Sequence, residues 1–392
     1  MPDPNFDRIK RLPPYVFAVV NEKKYQLRRN NVDIIDLGMG NPDLPTPDFI
    51  VKKLAEAATK PKNHRYSVSR GIFKLREALA NWYLRRFNVS LDPDREVVTT
   101  IGSKEGLAHL MLACLDRGDT VLVPDPTYPI HTYAAVISGA QVHHVAMPAD
   151  EKEFFENIKR SFETTWPKPK MILTCFPSNP TAYVASDAFF RELVAFARSK
   201  DVWLINDQAY AELTFEGEPV SILQIPGAKD VAVEFYTLSK TYNMAGWRVG
   251  FCAGNPQLVS ALTKIKSYLD YGMFQPIQIA ATVALNEGDR FIPELREVYR
   301  KRRDLLVDGL GKFGWTVPRP SASMFVWAQI PDFAASKLSV EFSSLALENA
   351  RVAFSPGLGF GSNGEGYVRI ALVENEHRIR QAIRGLKAWM TH

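Results

Sequence analysis

Cysteine is scarce in this chain of 392 residues. Cys114, Cys175 and Cys252 are too few and too widely spaced for a disulfide framework, and each lies in an apolar stretch, where buried thiols are common. Residues 1–10 are polar and lack the apolar centre of a signal peptide, and no run of about 18 apolar residues could span a bilayer. These absences predict a reducing compartment, and we expect the cytoplasm.

Metal-ligand spacing and a large excess of charge are also missing. The seven histidines form no HxxH, HExxH or Cys/His pattern, so we expect no metal site. The net charge is only +5, with basic and acidic residues interspersed, so neither nucleic acid nor a membrane is expected as a partner. The densest basic run, 301–303, lies between apolar residues at helical spacing, which predicts the exposed face of a long helix.

Short apolar segments alternate with helical segments through the middle of the chain. This rhythm predicts an α/β fold with a mostly parallel, seven-stranded sheet that helices cover on both faces. After about residue 285 the pattern changes to a smaller α+β layer. We expect an N-terminal arm that also joins the small domain (1–45), a large domain (46–285) and a small C-terminal domain (286–392). The predicted strands are 97–101, 120–123, 141–145, 171–175, 202–205, 231–238 and 249–253.

The stretch Tyr-Thr-Leu-Ser-Lys-Thr-Tyr-Asn-Met-Ala-Gly-Trp-Arg-Val-Gly, residues 236–250, carries the most information. Lys240 follows the hydroxyl groups of Thr237 and Ser239, and Arg248 comes shortly after it. A lone lysine in a loop is usually a solvated surface residue. Hydroxyl groups and an arginine near one amine instead suit a phosphate dianion beside a nucleophile.

This stretch resembles the lysine signature of class I and II, fold-type I aminotransferases, which use pyridoxal 5′-phosphate (PLP). The resemblance covers nearly the whole chain, and five elements in the family's order are far more specific than any single motif. The four other elements are the Asn-Pro-Thr turn at Asn179, the Asp-x-x-Tyr of Asp207 and Tyr210, Tyr66 followed by Ser69-Arg70-Gly71, and the C-terminal Tyr367-Val-Arg369-Ile.

The resemblance implies a role for each residue around the ring of PLP. Lys240 is expected to carry the cofactor and to move a proton during catalysis. Asp207 is expected to keep the ring nitrogen protonated, which PLP needs in order to withdraw electrons. Tyr210 and Asn179 are expected to donate hydrogen bonds to the phenolate oxygen, and Tyr128 to stack on the ring.

The phosphate is assigned to Gly102-Ser103-Lys104, between a predicted strand and a helix. The backbone N–H groups there point at an anion with the positive end of the helix dipole behind them. Ser103 and Lys104 are therefore expected to contact the cofactor. The other residues expected there are Thr237, Ser239 and Arg248. Tyr66 is expected to reach the phosphate of a neighbouring subunit, which implies a homodimer with shared active sites.

Four residues are expected to bind the substrate beside Asn179. Arg369 suits a bidentate pair with the α-carboxylate, for which lysine is a poor substitute. Gly40 is expected to approach that carboxylate through its backbone, which a side chain would obstruct. Lys104 is a candidate partner for the distal carboxylate of glutamate, and Tyr15 is expected to line the same pocket.

The resemblance implies transamination between an amino acid and a 2-oxo acid by a ping-pong mechanism. Four stretches resemble the bacterial glutamate–pyruvate (alanine) aminotransferases, which favours L-alanine and 2-oxoglutarate as substrates. They are 11–17, 101–110, 128–131 and 267–272. One departure is Asn206-Asp207-Gln208, where His-Asp-Leu is expected in that subgroup.

Other functions of the same cofactor site stay open. An aminotransferase for aspartate, methionine, aromatic amino acids or LL-diaminopimelate needs the same cofactor residues, and so does a PLP carbon–sulfur β-lyase. A PLP-binding regulator needs an added DNA-binding module, but only about 35 residues precede the first core strand, too few for one. A dinucleotide enzyme is disfavoured because no G-x-G-x-x-G follows the first strand.

Overall fold

The strands of the structure, a computed structural model that describes residues 6–13 and 16–391, form three sheets. In chain order they are β1 (Ile35–Asp36), β2 (Val97–Thr100), β3 (Thr120–Asp125), β4 (Gln141–Ala146), β5 (Met171–Cys175), β6 (Trp203–Asp207), β7 (Ala232–Thr237), β8 (Gly250–Gly254), β9 (Phe325–Gln329), β10 (Val352–Ala353), β11 (Ser355–Pro356) and β12 (Tyr367–Ala371).

The largest sheet has seven strands in the order β2-β8-β7-β6-β5-β3-β4. All neighbouring pairs are parallel except those of β8, which runs antiparallel to both β2 and β7. Every residue of β2, β3, β5, β7 and β8 is buried, which explains why these strands are mostly apolar. The predicted α/β class with a mostly parallel seven-stranded sheet is confirmed.

The helices of the described residues follow most strands, and some of them cover both faces of this sheet while others pack elsewhere in the fold. They are α1 (Asp7–Lys10), α2 (Phe17–Arg29), α3 (Asp48–Ala58), α4 (Phe73–Phe87), α5 (Ser103–Cys114), α6 (Pro129–Ser138), α7 (Glu151–Thr164), α8 (Asp187–Lys200), α9 (Ala228–Val231), α10 (Leu238–Thr241), α11 (Pro256–Leu269), α12 (Gln275–Glu287), α13 (Ile292–Gly311), α14 (Ser339–Leu345) and α15 (Glu376–Met390). A π-helical turn, Ala346–Ala350, extends α14. Short 3₁₀ helices lie at Pro61–His64, Ile222–Gln224, Ala245–Trp247, Gly288–Phe291, Asp332–Ala334, Gly357–Phe360 and Ser362–Gly364.

Side-chain caps fix where several of these helices begin. Asp150 accepts a hydrogen bond from the backbone N–H of Glu153, and Ser186 accepts one from Phe189. Asn255 caps α11, whose first residue is a proline. Each cap satisfies an N–H group that the first helical turn leaves without a partner.

The later part of the chain builds a second, smaller layer. Strands β11, β12 and β9 form an antiparallel sheet, and β1 from the N-terminal region pairs with β10. Apolar side chains of α13, α15 and this sheet pack into a separate buried cluster. The N-terminal region therefore joins the later part of the fold through strand pairing.

The predicted exposure of the basic run 301–303 is wrong for two of its three residues. Arg302 and Arg303 are 3% and 4% exposed. Arg302 donates to both carboxylate oxygens of Asp43 at 2.7 and 2.8 Å, and Arg303 donates to the backbone oxygen of Pro320 at 2.7 Å. The partners are distant in sequence, so helical spacing alone does not reveal them.

None of the helices within 6–13 and 16–391 combines the length and the apolar character that crossing a membrane requires.

Candidate active site

A cavity of about 330 Å³ opens at the carboxyl ends of the parallel strands, where ligands bind in open α/β sheets. Its wall also includes β9, β11 and β12 residues of the smaller sheet and the start of α2. The predicted site residues that line it are Gly40, Ser103, Lys104, Tyr128, Asn179, Asp207, Tyr210, Thr237, Ser239, Lys240, Arg248 and Arg369. Sequence-distant residues thus meet at one edge of the main sheet.

Lys240 lies on the short helix α10, directly after β7. The side chain of Thr237 caps this helix by accepting a hydrogen bond from the backbone of Ser239. The Lys240 amine donates to the backbone oxygen of Gly40 at 2.6 Å. Burial, together with the charges of Arg369 and Arg248, lowers the pKa of this amine to about 7. A partly deprotonated amine at neutral pH is suited to act as a nucleophile and as a base.

Asp207 ends β6 and is 5% exposed. Its Oδ2 lies 3.1 Å from Nε2 of His131, and Nδ1 of His131 lies 2.7 Å from the hydroxyl of Thr127. Its Oδ1 accepts from the backbone N–H of Ala209 at 3.2 Å. The carboxylate is therefore held from two sides while it lines the cavity, so it can pair with a protonated ring nitrogen.

His131 had no assigned role in the sequence, although it lies in the stretch 128–131. It is fully buried on the first turn of α6, the helix that follows β3. Only β5 separates β3 from β6 in the sheet, so the loops after these strands end close together. A polar residue just beyond a predicted parallel strand is the signal that identifies such a partner.

Asn179 joins two other predicted residues on the cavity wall. Its Oδ1 accepts from Arg369 at 2.8 Å, and its Nδ2 lies 3.5 Å from the Tyr210 hydroxyl. Burial raises the pKa of Tyr210 well above the usual range, so its hydroxyl remains a hydrogen-bond donor. The turn after β5 thus links the segment that follows β6 of the main sheet with β12 of the smaller sheet.

The guanidinium of Arg369 lies between aromatic rings, 4.1 Å from the centroid of Phe325 and 4.7 Å from that of Phe360. It also donates to the backbone oxygen of Gly38 at 2.8 Å. A Cβ on Gly40 would come within 2.6 Å of the Phe325 ring. Glycine at this position therefore lets the N-terminal loop lie against the ring that orients the arginine.

The start of α5 lies beside Arg248, an arrangement suited to an anion. Gly102 has φ +78°, and a Cβ there would lie 2.3 Å from an Arg248 guanidinium nitrogen. The absence of that Cβ lets the cation come close to the positive end of the helix. Ser239 also faces this space, whereas the Thr237 hydroxyl donates to the Val249 oxygen at 2.9 Å. A phosphate fits this arrangement.

Among the predicted site residues that the structure describes, Tyr66 is not on the wall. Tyr66 is 84% exposed, and its ring centroid lies 4.7 Å from that of Tyr271. Its proposed reach into a neighbouring subunit stays a prediction. Tyr15 falls outside the described residues. Lys104 is exposed at the cavity rim and forms no ion pair with any side chain that the structure describes.

Two clusters of possible metal ligands occur within the described part of the chain. They are His131, Cys175 and Asp207, and Glu105, His109 and Asp270. Burial raises the pKa of Cys175 well above the usual range, so its thiol stays protonated and is a poor ligand. The Lys266 amine lies 2.9 Å from both Glu105 and Asp270. In the first cluster, Asp207 already pairs with His131 and lines the cavity. In the second cluster, Lys266 neutralises the carboxylates through an internal ion pair.

The cavity combines three chemical features: the weakly basic amine of Lys240, the space for an anion beside Arg248, and the buried carboxylate of Asp207. The ring of Tyr128 also lines it. A phosphorylated aromatic aldehyde with a basic ring nitrogen matches this donor set: the amine can bond the aldehyde, and the carboxylate can pair with the protonated ring. Two observations support the match between this molecule and the cavity. Gly102 leaves space for Arg248 beside the helix start, and the pKa of Lys240 is lowered.

Comparisons with known proteins agree with this chemistry. Residues 32–386 match the family model "Aminotransferase class I and II". The chain is 54% identical to glutamate-pyruvate aminotransferase AlaC of Escherichia coli, covering 99% of this chain and 94% of the relative. It is 44% identical to LL-diaminopimelate aminotransferase of Oleidesulfovibrio alaskensis, covering 96% and 97%. The substrate-bound structure of BacF from Bacillus subtilis superposes with a TM-score of 0.91, at 35% identity over 99% and 98% of the two chains.

Proposed function

The chain belongs to the class I and II aminotransferases, and from this membership we propose which substrates it uses and which residues act on them. It is a PLP-dependent enzyme that transfers an amino group between an amino acid and a 2-oxo acid. We propose that it converts L-alanine and 2-oxoglutarate to pyruvate and L-glutamate. The observation that carries this choice is the 54% identity to a glutamate-pyruvate aminotransferase over 99% of the chain.

Different residues are proposed to contact the phosphate, the ring nitrogen and the rest of the PLP ring. Arg248, Ser239 and the N-terminus of α5 with Ser103 would hold the phosphate. Asp207 would pair with the ring nitrogen, with His131 keeping the carboxylate in place. The cofactor, when bound, withdraws electrons from the substrate and so weakens the bonds to its Cα. The remaining ring contacts are assigned to Tyr128, Asn179 and Tyr210.

Lys240 is the proposed catalytic base. An amine with a pKa of about 7 is present in both protonation states near neutral pH, so it can take a proton from Cα and later return it. The low polarity around it and the two nearby arginines favour the neutral form. This role and the carrying of PLP both require the same free amine.

Arg369 is the proposed site for the α-carboxylate of the substrate. Its guanidinium is held by Asn179 and the Gly38 oxygen and lies over the Phe325 ring, so its direction is fixed before substrate arrives. A planar fork fixed in this way binds a carboxylate through two hydrogen bonds. Asn179 contacts both Arg369 and Tyr210, so one amide lies between the carboxylate site and the proposed position of the cofactor ring.

Tyr66, Tyr15 and Lys104 have proposed roles away from the cofactor ring. Tyr66 and the exposed ring of Tyr271 beside it would lie in a homodimer interface, and the two subunits would share their active sites. Tyr15 would line the substrate pocket. We propose domain boundaries near residues 45 and 285, and a cytoplasmic enzyme. Lys104 at the rim is the proposed partner of a distal carboxylate.

A second candidate substrate is LL-diaminopimelate, which is favoured by relatives at 43% to 45% identity that carry this activity in their names. The test compares kcat/KM for L-alanine and LL-diaminopimelate with 2-oxoglutarate as acceptor. We expect alanine to be preferred, with initial-rate patterns of parallel lines for two alternating half-reactions. A preference for LL-diaminopimelate would overturn the alanine assignment. Release of pyruvate and ammonia from cystathionine without an acceptor would favour a β-lyase.

A further inference from the structure

Asp207 has an amide side chain on each side of it, and both amides face away from the cavity. Side chains alternate along β6, so Asn206 and Gln208 share the face opposite to Asp207. In the sheet register, Asn206 lies beside Glu234 of β7, whereas Asp207 lies beside Phe235. The two amides therefore belong to the layer behind the strand.

Glu234 binds both amides. The Nδ2 of Asn206 donates to Glu234 Oε2 at 3.1 Å, and the Nε2 of Gln208 donates to Glu234 Oε1. Gln208 also donates to the hydroxyl of Tyr83 at 2.8 Å, and the Tyr83 hydroxyl lies 3.1 Å from Glu234 Oε1. One carboxylate thus holds the residues immediately before and after Asp207.

The Glu234 side chain is fully buried and has further donors from another element. Ser221 donates its hydroxyl hydrogen at 2.6 Å, and the backbone N–H of Ile222 donates at 3.0 Å. With the two amides and the tyrosine, the carboxylate connects α4, β6, β7 and the turn before Ile222–Gln224. Burying a carboxylate is costly unless such donors surround it, so an apolar residue would fill this space more simply if packing were its only role.

We propose that Glu234 is a positioning residue for the cofactor site, which acts through Asn206 and Gln208. By holding both neighbours of Asp207, it fixes the direction in which the Asp207 carboxylate meets the ring nitrogen. Gln208 is two residues before Tyr210, so the contact of Glu234 with Gln208 also helps to set the position of the Tyr210 hydroxyl. This inference rests on the proposed roles of Asp207 and Tyr210, and neither Glu234 nor the two amides touches the cavity.

The test substitutes Glu234→Gln, which keeps the shape of the side chain but presents an NH₂ group to donors. Gln208→Leu is the milder second variant, because it removes one donor and leaves four on the carboxylate. Glu151→Gln is the matched control. Glu151 also accepts two hydrogen bonds, from the Ser186 N–H at 2.7 Å and its hydroxyl at 2.6 Å, but it lies outside the cavity wall.

Five quantities are measured for each variant: the thermal midpoint of the apoenzyme, its dissociation constant for PLP, the pH midpoint of the visible cofactor absorption, kcat, and KM for the amino acid. For Glu234→Gln we expect weaker PLP binding, a shifted absorption midpoint and a kcat lower by about tenfold, with KM for the amino acid nearly unchanged. Gln208→Leu should change the same quantities in the same direction by less. Glu151→Gln should change only the thermal midpoint.

Normal PLP affinity, absorption midpoint and kcat in Gln208→Leu would overturn the positioning role, whether or not Glu234→Gln folds. The same result in a folded Glu234→Gln would show that the cluster only stabilises the protein. A wild-type apoenzyme that fails to bind PLP would instead overturn the proposed function. The two failures are therefore distinguishable.

Discussion

The two walls of the active-site cavity are built in different ways. The cofactor wall comes from the ends of adjacent strands in one sheet, with Asn179 after β5, Asp207 at the end of β6 and Lys240 after β7. The opposite wall brings together the N-terminal loop around Gly40 and the small-sheet residue Arg369, which are far apart in sequence. One sheet can fix a cofactor before substrate arrives, whereas the substrate wall depends on how distant segments meet.

The comparison predicts that a substitution in the cofactor wall leaves substrate binding unchanged, and that one in the substrate wall leaves PLP binding unchanged. Lys240→Ala should give the largest effect, because it removes the proposed base from the cofactor wall. We expect kcat to fall by at least about 10³-fold in a protein that still unfolds in one cooperative transition. Steady-state rates and a melting curve check this. Full turnover by Lys240→Ala would exclude the assigned role.

Arg369→Lys should damage only the substrate wall. Loss of the bidentate fork should lower kcat/KM for L-alanine by roughly 100-fold, which corresponds to about 3 kcal/mol for hydrogen bonds to a charged group. The dissociation constant for PLP should stay within about twofold, well inside a tenfold change of about 1.4 kcal/mol. A spectrophotometric PLP titration and initial rates measure both. An equal loss of PLP affinity would mean that the walls are not separable.

Arg248→Met is the reciprocal change. It removes the cation beside Gly102, so PLP should bind about tenfold more weakly, as expected for one charged contact. At saturating PLP, KM for L-alanine should match the wild-type value. Titration of the apoenzyme with PLP is the measurement, and Arg191→Met, a change at an exposed residue of α8, is the control. Unchanged PLP affinity would remove Arg248 from the phosphate site.

The pH dependence of the apoenzyme tests the cofactor wall without any ligand. Folding lowers the pKa of Lys240 from 10.5 to about 7, so between these values the unfolded chain binds the proton and the folded chain does not. The free energy of unfolding should therefore gain a contribution that rises with pH across this window. Lys240→Met should lack that contribution. Parallel stability–pH curves for the two proteins would contradict the lowered pKa.

Lys104→Ala should have the smallest effect, at the rim between the walls. If its ammonium meets a distal carboxylate, KM for 2-oxoglutarate should rise a few-fold, as for an exposed ion pair of up to about 1 kcal/mol, while KM for L-alanine stays the same. Separate half-reaction titrations measure both values. Equal weakening of both substrates would assign Lys104 to the cofactor phosphate or to the helix alone.

The same contrast explains what sequence could predict. Local patterns in the sequence identified the strands, since buried parallel strands are mostly apolar. Short motifs identified Lys240 and Asp207 as site residues. The contact of His131 with Asp207 spans 76 residues, and that of Arg302 with Asp43 spans 259. Such pairs depend on the assembled fold. A buried carboxylate such as Glu234 also reads as an ordinary strand residue until its donors are in place.

The most direct test of the account is to reduce the PLP-loaded enzyme with borohydride, which fixes the cofactor to the side chain that carries it, and then to map the peptides by mass. The account predicts the pyridoxyl phosphate mass on Lys240, in the peptide that contains Thr237 and Ser239. The mass on another lysine, or on none after loading with PLP, would contradict it.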